Sequence, residues 1–540
     1  MARHRPPAVG LDFGTTTSLV ARRKGSEPLD LLPIGMTRRW LPSLAGRQDG
    51  HLVVGEDADT LSTTNVIRSI KRAITFDQST VTLGSGEKLS RDEVVVALLR
   101  TIAERSAERG LPLGRQRDLR IGCPAMWRRE QRHLLLDLVG EAGIDVDAAN
   151  LVEEPVAAGL AWLGSGAIDA TRVGGRLLVF DMGGGTLDIA VLDIEPGDPP
   201  SVRVLTSAGM PAAGDALDEA IAEDLTAELG KQGVDILALK RPDAARDNIL
   251  EQAREAKVLL STEERARVVF RRVVFGAQIP PVSYDRERLD EVFRPQLEHA
   301  EQKLWDALRL ARLTHVRNSS VSTILKTPLD DLAADVDHVL LAGGMSRIPA
   351  VRRRLAELLP NATIHDSVGV AADETVVAGL ADTGEADPIN LYRPCFDFTL
   401  FWDGDGRFPL YEAYTPLFET YQLASMNEPS YVIRAGHRQG VPQQRQGELR
   451  VFSSTGVPVN IERFGRDGTV QDVLEKLPVK FGHRDVTFRL YTDGRVIVMD
   501  GAGHSHTLRV EPWPVIEGAG SRPADQPVPE PTVPYPFNKP

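Results

Sequence analysis

The sequence predicts an α/β chain of two similar halves followed by a small antiparallel β domain. Three observations carry this reading. The first is a repeated device, an apolar run, an aspartate, a glycine turn, threonine and a second apolar run. It occurs as VGLDFGTTTSLV near the start of the chain and as LLVFDMGGGTLDIAV around Asp181. The second is the succession of short apolar runs and helix-period segments up to Leu358. The third is a change of character around Thr383–Asn390, where helical spacing stops and short strand signals take over.

The elements follow in order. Val9–Asp12 reads as a buried strand, Gly14, Thr15, Thr16, Thr17 and Ser18 as a hydroxyl-rich turn, and Val20 as the start of the return strand. Asn65–Thr75 mixes polar and apolar residues around Lys71, which on its own terms reads as a solvated lysine. Arg91–Arg109 places Val94, Val95, Leu98, Leu99 and Ile102 at helical spacing. Leu119–Cys123 is a strand closed by Pro124, and Glu130–Ala142 a helix. Leu151–Leu163 reads as strand, turn and helix, with Pro155 suited to the first helical turn. Glu153 and Glu154 are there either as favourable charge at a helix N-terminus or for function. Helices are expected over Ala212–Leu229, Asn248–Ser261 and Asp285–Leu313. Val339–Arg347 reads as strand, glycine turn and the start of a helix running on through Val351, Leu355 and Leu358, with Arg352, Arg353 and Arg354 on a solvated face.

Beyond this lie strand signals at Phe396–Trp402, Ser430–Arg434 and Glu448–Phe452, and a hairpin over Asp485–Asp500 turning at Asp493-Gly494. His504 and His506 read as residues of a solvated loop. The expected organisation is a domain over 1–384, a linker over 385–390, a β-rich domain over 391–517 and a proline-rich tail over 518–540.

Bulk properties exclude several classes. A net charge of −13 argues against nucleic-acid binding and against a basic membrane-surface protein. The two cysteines, Cys123 and Cys395, form no CxxC pair, which argues against a disulfide framework or structural zinc. The N-terminal stretch MARHRPPAVGLDFG has no apolar core of signal-peptide length and no run approaches a membrane span, so a cytoplasmic location is expected.

The repeated device has a chemical reading. Two strands joined by Gly183, Gly184 and Gly185 bring bare backbone N–H groups close to whatever lies above the turn, which suits a phosphate. Asp181 is then placed for hydrated Mg²⁺, which takes one or two carboxylates plus water and phosphate oxygens. Two such hairpins suggest two facing subdomains with a nucleotide between them. A Gly-Gly turn at Gly343–Gly344 feeding a helix suits the same ligand, although an ordinary strand–helix connection has the same pattern.

The order of these motifs resembles the actin, sugar-kinase and heat-shock ATPase superfamily, and within it the seventy-kilodalton heat-shock chaperone family. The resemblance covers Val9 to about Gly384 and extends more weakly through the β domain. It implies a two-lobed actin-like ATPase domain with duplicated ribonuclease-H-like cores, binding ATP or ADP with Mg²⁺. VGLDFGTTTSLV resembles the first phosphate motif, which implies phosphate contacts at Gly14–Thr17 and a water-mediated metal contact at Asp12. IKRAI resembles the segment of the catalytic lysine, here Lys71, and CPAMWRREQRH the proline-switch segment, with Pro124 and Arg132. VEEPVAAGLAW places the family's essential acid at Glu154. The second phosphate motif places a metal-side carboxylate at Asp181, γ-phosphate contacts at Gly184–Thr186 and a water-side acid at Asp188. LLAGGMSRIPAVRRRL resembles the adenosine motif, with nucleotide contacts implied over Gly343, Gly344, Ser346 and Arg347. VTFRLYTDGRVIVMD resembles a late hairpin of the peptide-binding β domain.

The chain also departs from the family. Its adenine-clamp helix has Lys257 and Ser261, but Arg254 stands where an acid is expected and Val258 where an arginine is expected. Asn150 stands where the family's arginine docks J-domain co-chaperones, which argues against that partnership. TGEADPINLYRPCFDF replaces the acidic-leucine linker, and on this reading no helical lid follows the β domain. The implied function is a slow ATPase chaperone whose nucleotide state controls binding of unfolded client polypeptide, with a nucleotide-exchange factor as a further partner. The rivals are a small-molecule kinase on the same fold and a nucleotide-gated interaction protein with little turnover.

Overall fold

A computed structural model describes residues 8–510 apart from 26, 63–64, 116–117, 147–149, 167, 170–171, 173, 198–199, 316–320, 383–388, 419–427, 444, 454–455 and 466–467. Most of the expected linker and all of the proline-rich tail lie outside the described residues. The chain divides into two compact units. One comprises Met1–Val202, Ser207–Ala307 and Leu329–Pro388, and the other Arg203–Thr206, Leu308–Pro328 and Ile389–Pro540.

The first unit contains two sheets of matching design. In one, the strands run in the order Leu151–Glu153, Leu119–Cys123, Ala8–Phe13, Thr17–Arg23. In the other, the order is Thr363–His365, His338–Ala342, Gly175–Met182, Leu187–Glu195. In each, an antiparallel hairpin is flanked on its first strand by two parallel strands. The repeat read from sequence is thus a repeat of sheet topology, and the two-lobed α/β class holds. The hairpin strands are apolar on both faces because helices cover them, as parallel sheets require.

Two helices pack between these sheets. Glu154–Gly164 is buried from Glu154 to Trp162, and Thr375–Leu380 is buried throughout. They cross at glycine and alanine: a Cβ on Gly379 would lie 1.7 Å from the carbonyl oxygen of Ala157. Gly10 also packs beneath Leu380, and Gly159 beneath Leu192, where added Cβ atoms would fall 2.7 and 2.2 Å from side-chain carbons. Small residues thus set the spacing of sheet, helix, helix and sheet.

The helix expected to continue from Val339–Arg347 is interrupted. Gly344–Arg347 forms one 3₁₀ turn, Ile348 is extended at φ −69°, ψ 120°, and a new helix runs Pro349–Leu358. Pro349 lacks an N–H and disfavours helical geometry at the residue before it, so it can start a helix but not continue one. The arginines of that helix are ion-paired rather than simply solvated, Arg353 to Asp290 and Arg354 to Glu301, each at 2.6 Å, and Arg352 to Asp366.

The second unit is built on two antiparallel sheets. One is ordered Gly406–Tyr411, Phe396–Trp402, Gln446–Ser453, Pro458–Val459, with Leu477–Lys480 also paired to Gln446–Ser453. The other is ordered Ser430–Ala435, Val486–Tyr491, Arg495–Met499, Ser505–Val510, Ile461–Phe464, Val470–Leu474. Phe398 and Phe488, one from each sheet, meet at 5.1 Å between ring centroids. Leu310, Leu313, Val321 and Ile324 join the same core. His506 lies within the strand Ser505–Val510, opposite Val498, and not in a loop. No helix among the described residues is long and apolar enough to cross a membrane.

Candidate functional site

The two glycine turns of the first unit meet. A Cβ on Gly184 would lie 2.3 Å from the Thr16 hydroxyl oxygen, and one on Gly185 would lie 2.7 Å from that of Thr15. Gly14 is equally constrained, since a Cβ there would lie 2.2 Å from the carbonyl oxygen of Thr17. Ser43 braces the first turn, its N–H donating to Thr16 O at 2.9 Å and its hydroxyl to Gly14 O at 2.8 Å. The second turn is closed by Gly183 N–H donating to Thr186 O at 3.0 Å. It is held from outside by the N–H groups of Gly214 and Asp215, which donate to Gly183 O at 3.1 Å and Gly184 O at 2.7 Å.

Beside these turns lies a buried charge cluster of Asp12, Glu154, Asp181 and Asp188 with Lys71. Lys71 donates to Glu154. Asp12 is the last residue but one of the first hairpin's opening strand, while Asp181 and Asp188 face one another across the second hairpin. Burial, reinforced by the Glu154 charge, pushes Asp12 up to about 7. The same causes push Asp188 up to about 7, although Thr186 and the Ala125 N–H at 2.8 Å oppose them. Asp181 rises well above the usual carboxylate range through burial and the charges of Glu154, Asp188 and Asp12. Burial works to lower Lys71, but Glu154 and Asp12 carry it above its ordinary value.

Four buried carboxyl groups against one ammonium repel one another when ionised, which drives protons onto them and which a bound cation would relieve. Among the described residues no set of three or more His, Cys, Asp or Glu could grip a metal directly. A hard cation completing its shell with water and phosphate oxygens, as Mg²⁺ does, fits that donor set.

Glu153 and Glu154 have different partners. Glu154 faces Lys71, whereas Glu153 receives Arg132 at 2.6 Å. Arg132 also donates to Trp127 O at 3.1 Å, and the Trp127 indole donates to Thr75 at 3.0 Å, so the segment after Pro124 is tied to the lysine's helix Lys71–Thr75.

The third turn lies against the second. Gly343 has φ 77°, and a Cβ there would lie 2.4 Å from Met182 O and 2.5 Å from Asp181 Oδ1. Only glycine accepts both the dihedral and the approach. A Cβ on Gly344, by contrast, would meet nothing within 4 Å. Ser346 donates to Gly343 O at 2.7 Å.

A family profile described as "Hsp70 protein" matches residues 8–386. The chain belongs to the Hsp70 family. Similar proteins include the chaperone protein DnaK of Thermosipho africanus, 29% identical over 392 residues, which are 71% of this chain and 59% of that protein. DnaK of Mycoplasmoides gallisepticum is 27% identical over 394 residues, 71% of this chain and 60% of that one. DnaK of Thermotoga maritima is 27% identical over 396 residues, 70% and 61% of the respective chains. The match thus spans about three-fifths of these relatives' length.

On this Hsp70 framework the structure gathers Lys71, Glu154, Asp12, Asp181, Asp188, Thr186 and the turns at Gly14–Thr17 and Gly183–Gly185 into one locality, with Gly343 against it. Lys257 reaches the second turn through Gly214, donating to its carbonyl at 3.1 Å. Ser261 and Arg347 have partners of their own: the Ser261 hydroxyl bonds Val258 O at 2.6 Å, and Arg347 pairs with Asp373 at 2.5 Å. Val258 is 67% exposed.

Sequence reasoning missed Gly214, Asp215, Asp218 and Arg72. Gly214 and Asp215 hold the second turn, and Arg72 reaches Asp215 at 3.4 Å. The small residues Ala212 and Ala213 ahead of the helix Gly214–Lys231, and Gly214 at its start, were the available signal of a close backbone approach. Asp218 had no such signal, being one acid among several on a charged helix.

Proposed function

We propose that this Hsp70-family chain binds Mg·ATP, hydrolyses it slowly and acts as a cytoplasmic chaperone. Its nucleotide state would control binding of an unfolded or extended polypeptide by the second unit, with an exchange factor resetting the cycle. The observation that supports this best is the juxtaposition of two glycine–threonine turns with a buried cluster of four carboxylates and one lysine.

Phosphoryl transfer to water asks little covalent chemistry of the protein, and positioning with charge stabilisation does most of the work. The turns at Gly14–Thr17 and Gly183–Gly185 would hold the phosphates through backbone N–H groups. Lys71 would offset developing charge on the transferred group, and Glu154 holds its ammonium in place. Asp188 would accept a hydrogen bond from the attacking water, while Asp12 and Asp181 would orient water bound to Mg²⁺. The cation, when bound, supplies the charge neutralisation that the carboxylates lack.

The testing experiment is ATP hydrolysis measured with and without an unfolded model peptide. Phosphate release without any acceptor, stimulated by the peptide, is expected. No release in either condition refutes the ATPase assignment, and indifference to peptide refutes nucleotide-controlled client binding.

One observation favours a second reading, a nucleotide-gated binding protein with little turnover. The clamp helix carries Arg254 and exposed Val258 where the family pattern has an acid and an arginine. Nucleotide-dependent protection from protease with negligible phosphate release would favour it.

A further inference from the structure

Asp218 lies in the second turn of the helix Gly214–Lys231 and is almost completely buried, at 3% exposure. Its carboxylate faces two cations of the neighbouring helix Pro242–Leu260. Oδ1 is 2.7 Å from the Lys257 ammonium and Oδ2 is 3.5 Å from the Arg254 guanidinium. The same ammonium donates to Gly214 O at 3.1 Å. Gly214 is in turn bonded to the phosphate turn, and a Cβ on it would lie 3.2 Å from both Gly184 Cα and Lys257 Nζ. A continuous polar path therefore runs from Asp218 through Lys257 and Gly214 to Gly184.

Packing does not require this arrangement. Leu217, Ile221 and Leu225 already bury the helix's apolar face. A buried ion pair is no better than apolar residues at stabilising a core, because desolvation of both charges offsets their attraction. What the pair does supply is a fixed position for a flexible, four-carbon ammonium. Two cations sharing one carboxylate also form a unit. Without Asp218, Arg254 and Lys257 repel each other, with the half-buried Arg68 adding to the repulsion on Arg254.

We infer that Asp218 is a positioning residue for the nucleotide, fixing the Lys257 ammonium beside the Gly183–Gly185 turn and holding Arg254 alongside as the second cation of that edge. The carboxylate that the clamp helix lacks at Arg254 is thereby supplied from the adjacent helix. The inference rests on the proposed nucleotide site.

The test is a double-mutant cycle of Asp218→Asn and Lys257→Met, read as KM for ATP, kcat and equilibrium ADP affinity. Asp218→Asn is expected to raise KM and weaken ADP about ten-fold while kcat changes less than about two-fold. Lys257→Met should do the same, and the double variant should be no worse than either single, because both remove one unit. Should Asp218→Asn fail to fold, Lys257→Gln, which breaks the same pair from its less buried side, must still raise KM about ten-fold. An unchanged KM in the singles, or about a hundred-fold loss in the double from additive effects, overturns the inference and leaves the proposed function standing. Absence of nucleotide binding by the unsubstituted chain overturns both.

Discussion

The backbone N–H of Ala125, the residue after Pro124, donates to Asp188 Oδ1 at 2.8 Å. This bond joins the segment after the strand Leu119–Cys123 to the return strand of the other subdomain's hairpin. Asp188 therefore performs two tasks that substitution can separate. Asp188→Asn keeps an acceptor for Ala125 and removes the charge. Turnover should fall about 10²- to 10³-fold while nucleotide affinity stays within a few-fold. Asp188→Leu also orphans the Ala125 N–H and should lose a further ~1–3 kcal/mol of stability. Single-turnover phosphate release and urea denaturation distinguish the two, and equal behaviour of both variants would contradict the assignment.

Lys71 and Glu154 form a pair whose halves are not equivalent. Lys71→Ala should abolish turnover while ATP still binds, and unchanged turnover would sink the role given to the lysine. Lys71→Met leaves Glu154 without its buried ammonium partner, among carboxyl groups already driven to hold protons, so it should cost ~3–5 kcal/mol in the absence of nucleotide. Glu154→Gln reduces the excess of negative charge and should cost much less. Denaturant midpoints of the two variants give the comparison, and equal losses would argue against mutual repulsion as the controlling term.

The carboxylate cluster also sets a pH dependence. Asp12 and Asp188 sit at about 7 in the folded chain against an ordinary 3.8. Between these values the folded state holds protons that the unfolded state has released, so stability without nucleotide should fall as pH rises through that window. His338 and His365 work in the opposite direction, both held below their ordinary value by burial, and so lose stability on acidification. The clean measurement is therefore a difference: from pH 5 to 8 the denaturant midpoint of Asp188→Asn should decline less than that of the parent chain. Adding Mg²⁺ and ADP should shrink the parent's decline. Identical slopes would show that Asp188 carries no proton in this range.

Two glycines give a contrast between fold and function. Alanine at Gly379 would meet the Ala157 carbonyl, which is backbone and cannot turn away, so a loss of about 3 kcal/mol or more is expected. Alanine at Gly184 would meet the Thr16 hydroxyl, which can rotate. That variant should keep its melting temperature within a few degrees while turnover falls about 10²-fold through displaced phosphate contacts. A melting scan beside a phosphate-release assay checks both expectations.

What was legible in the sequence followed from local pattern. The hairpins at Asp12 and Asp181 announced themselves because apolar runs, a carboxylate and a glycine turn are all contiguous. The strand Phe396–Trp402 and the hairpin turning at Asp493-Gly494 were visible through alternation and turn chemistry. Ile461–Phe464 was not, because the charged pair Glu462-Arg463 interrupts the apolar alternation, and Val470–Leu474 was not, because its side chains are nearly all exposed. Asp218 was invisible for a different reason. Its role depends on Lys257, thirty-nine positions away, and on the helix packing that brings them together. The partition of Glu153 to Arg132 and Glu154 to Lys71 likewise needed three dimensions.

The crossing of Gly379 over Ala157 bears on how the first unit can move. Helices whose backbones touch at one point cannot come closer, and translation along either axis drives a side chain into the opposing backbone. Rotation about the touching point meets no such obstacle. The two subdomains are thus expected to open as scissor blades about a rivet, with the glycine–threonine turns at the tips and the Gly379–Ala157 contact keeping its length throughout.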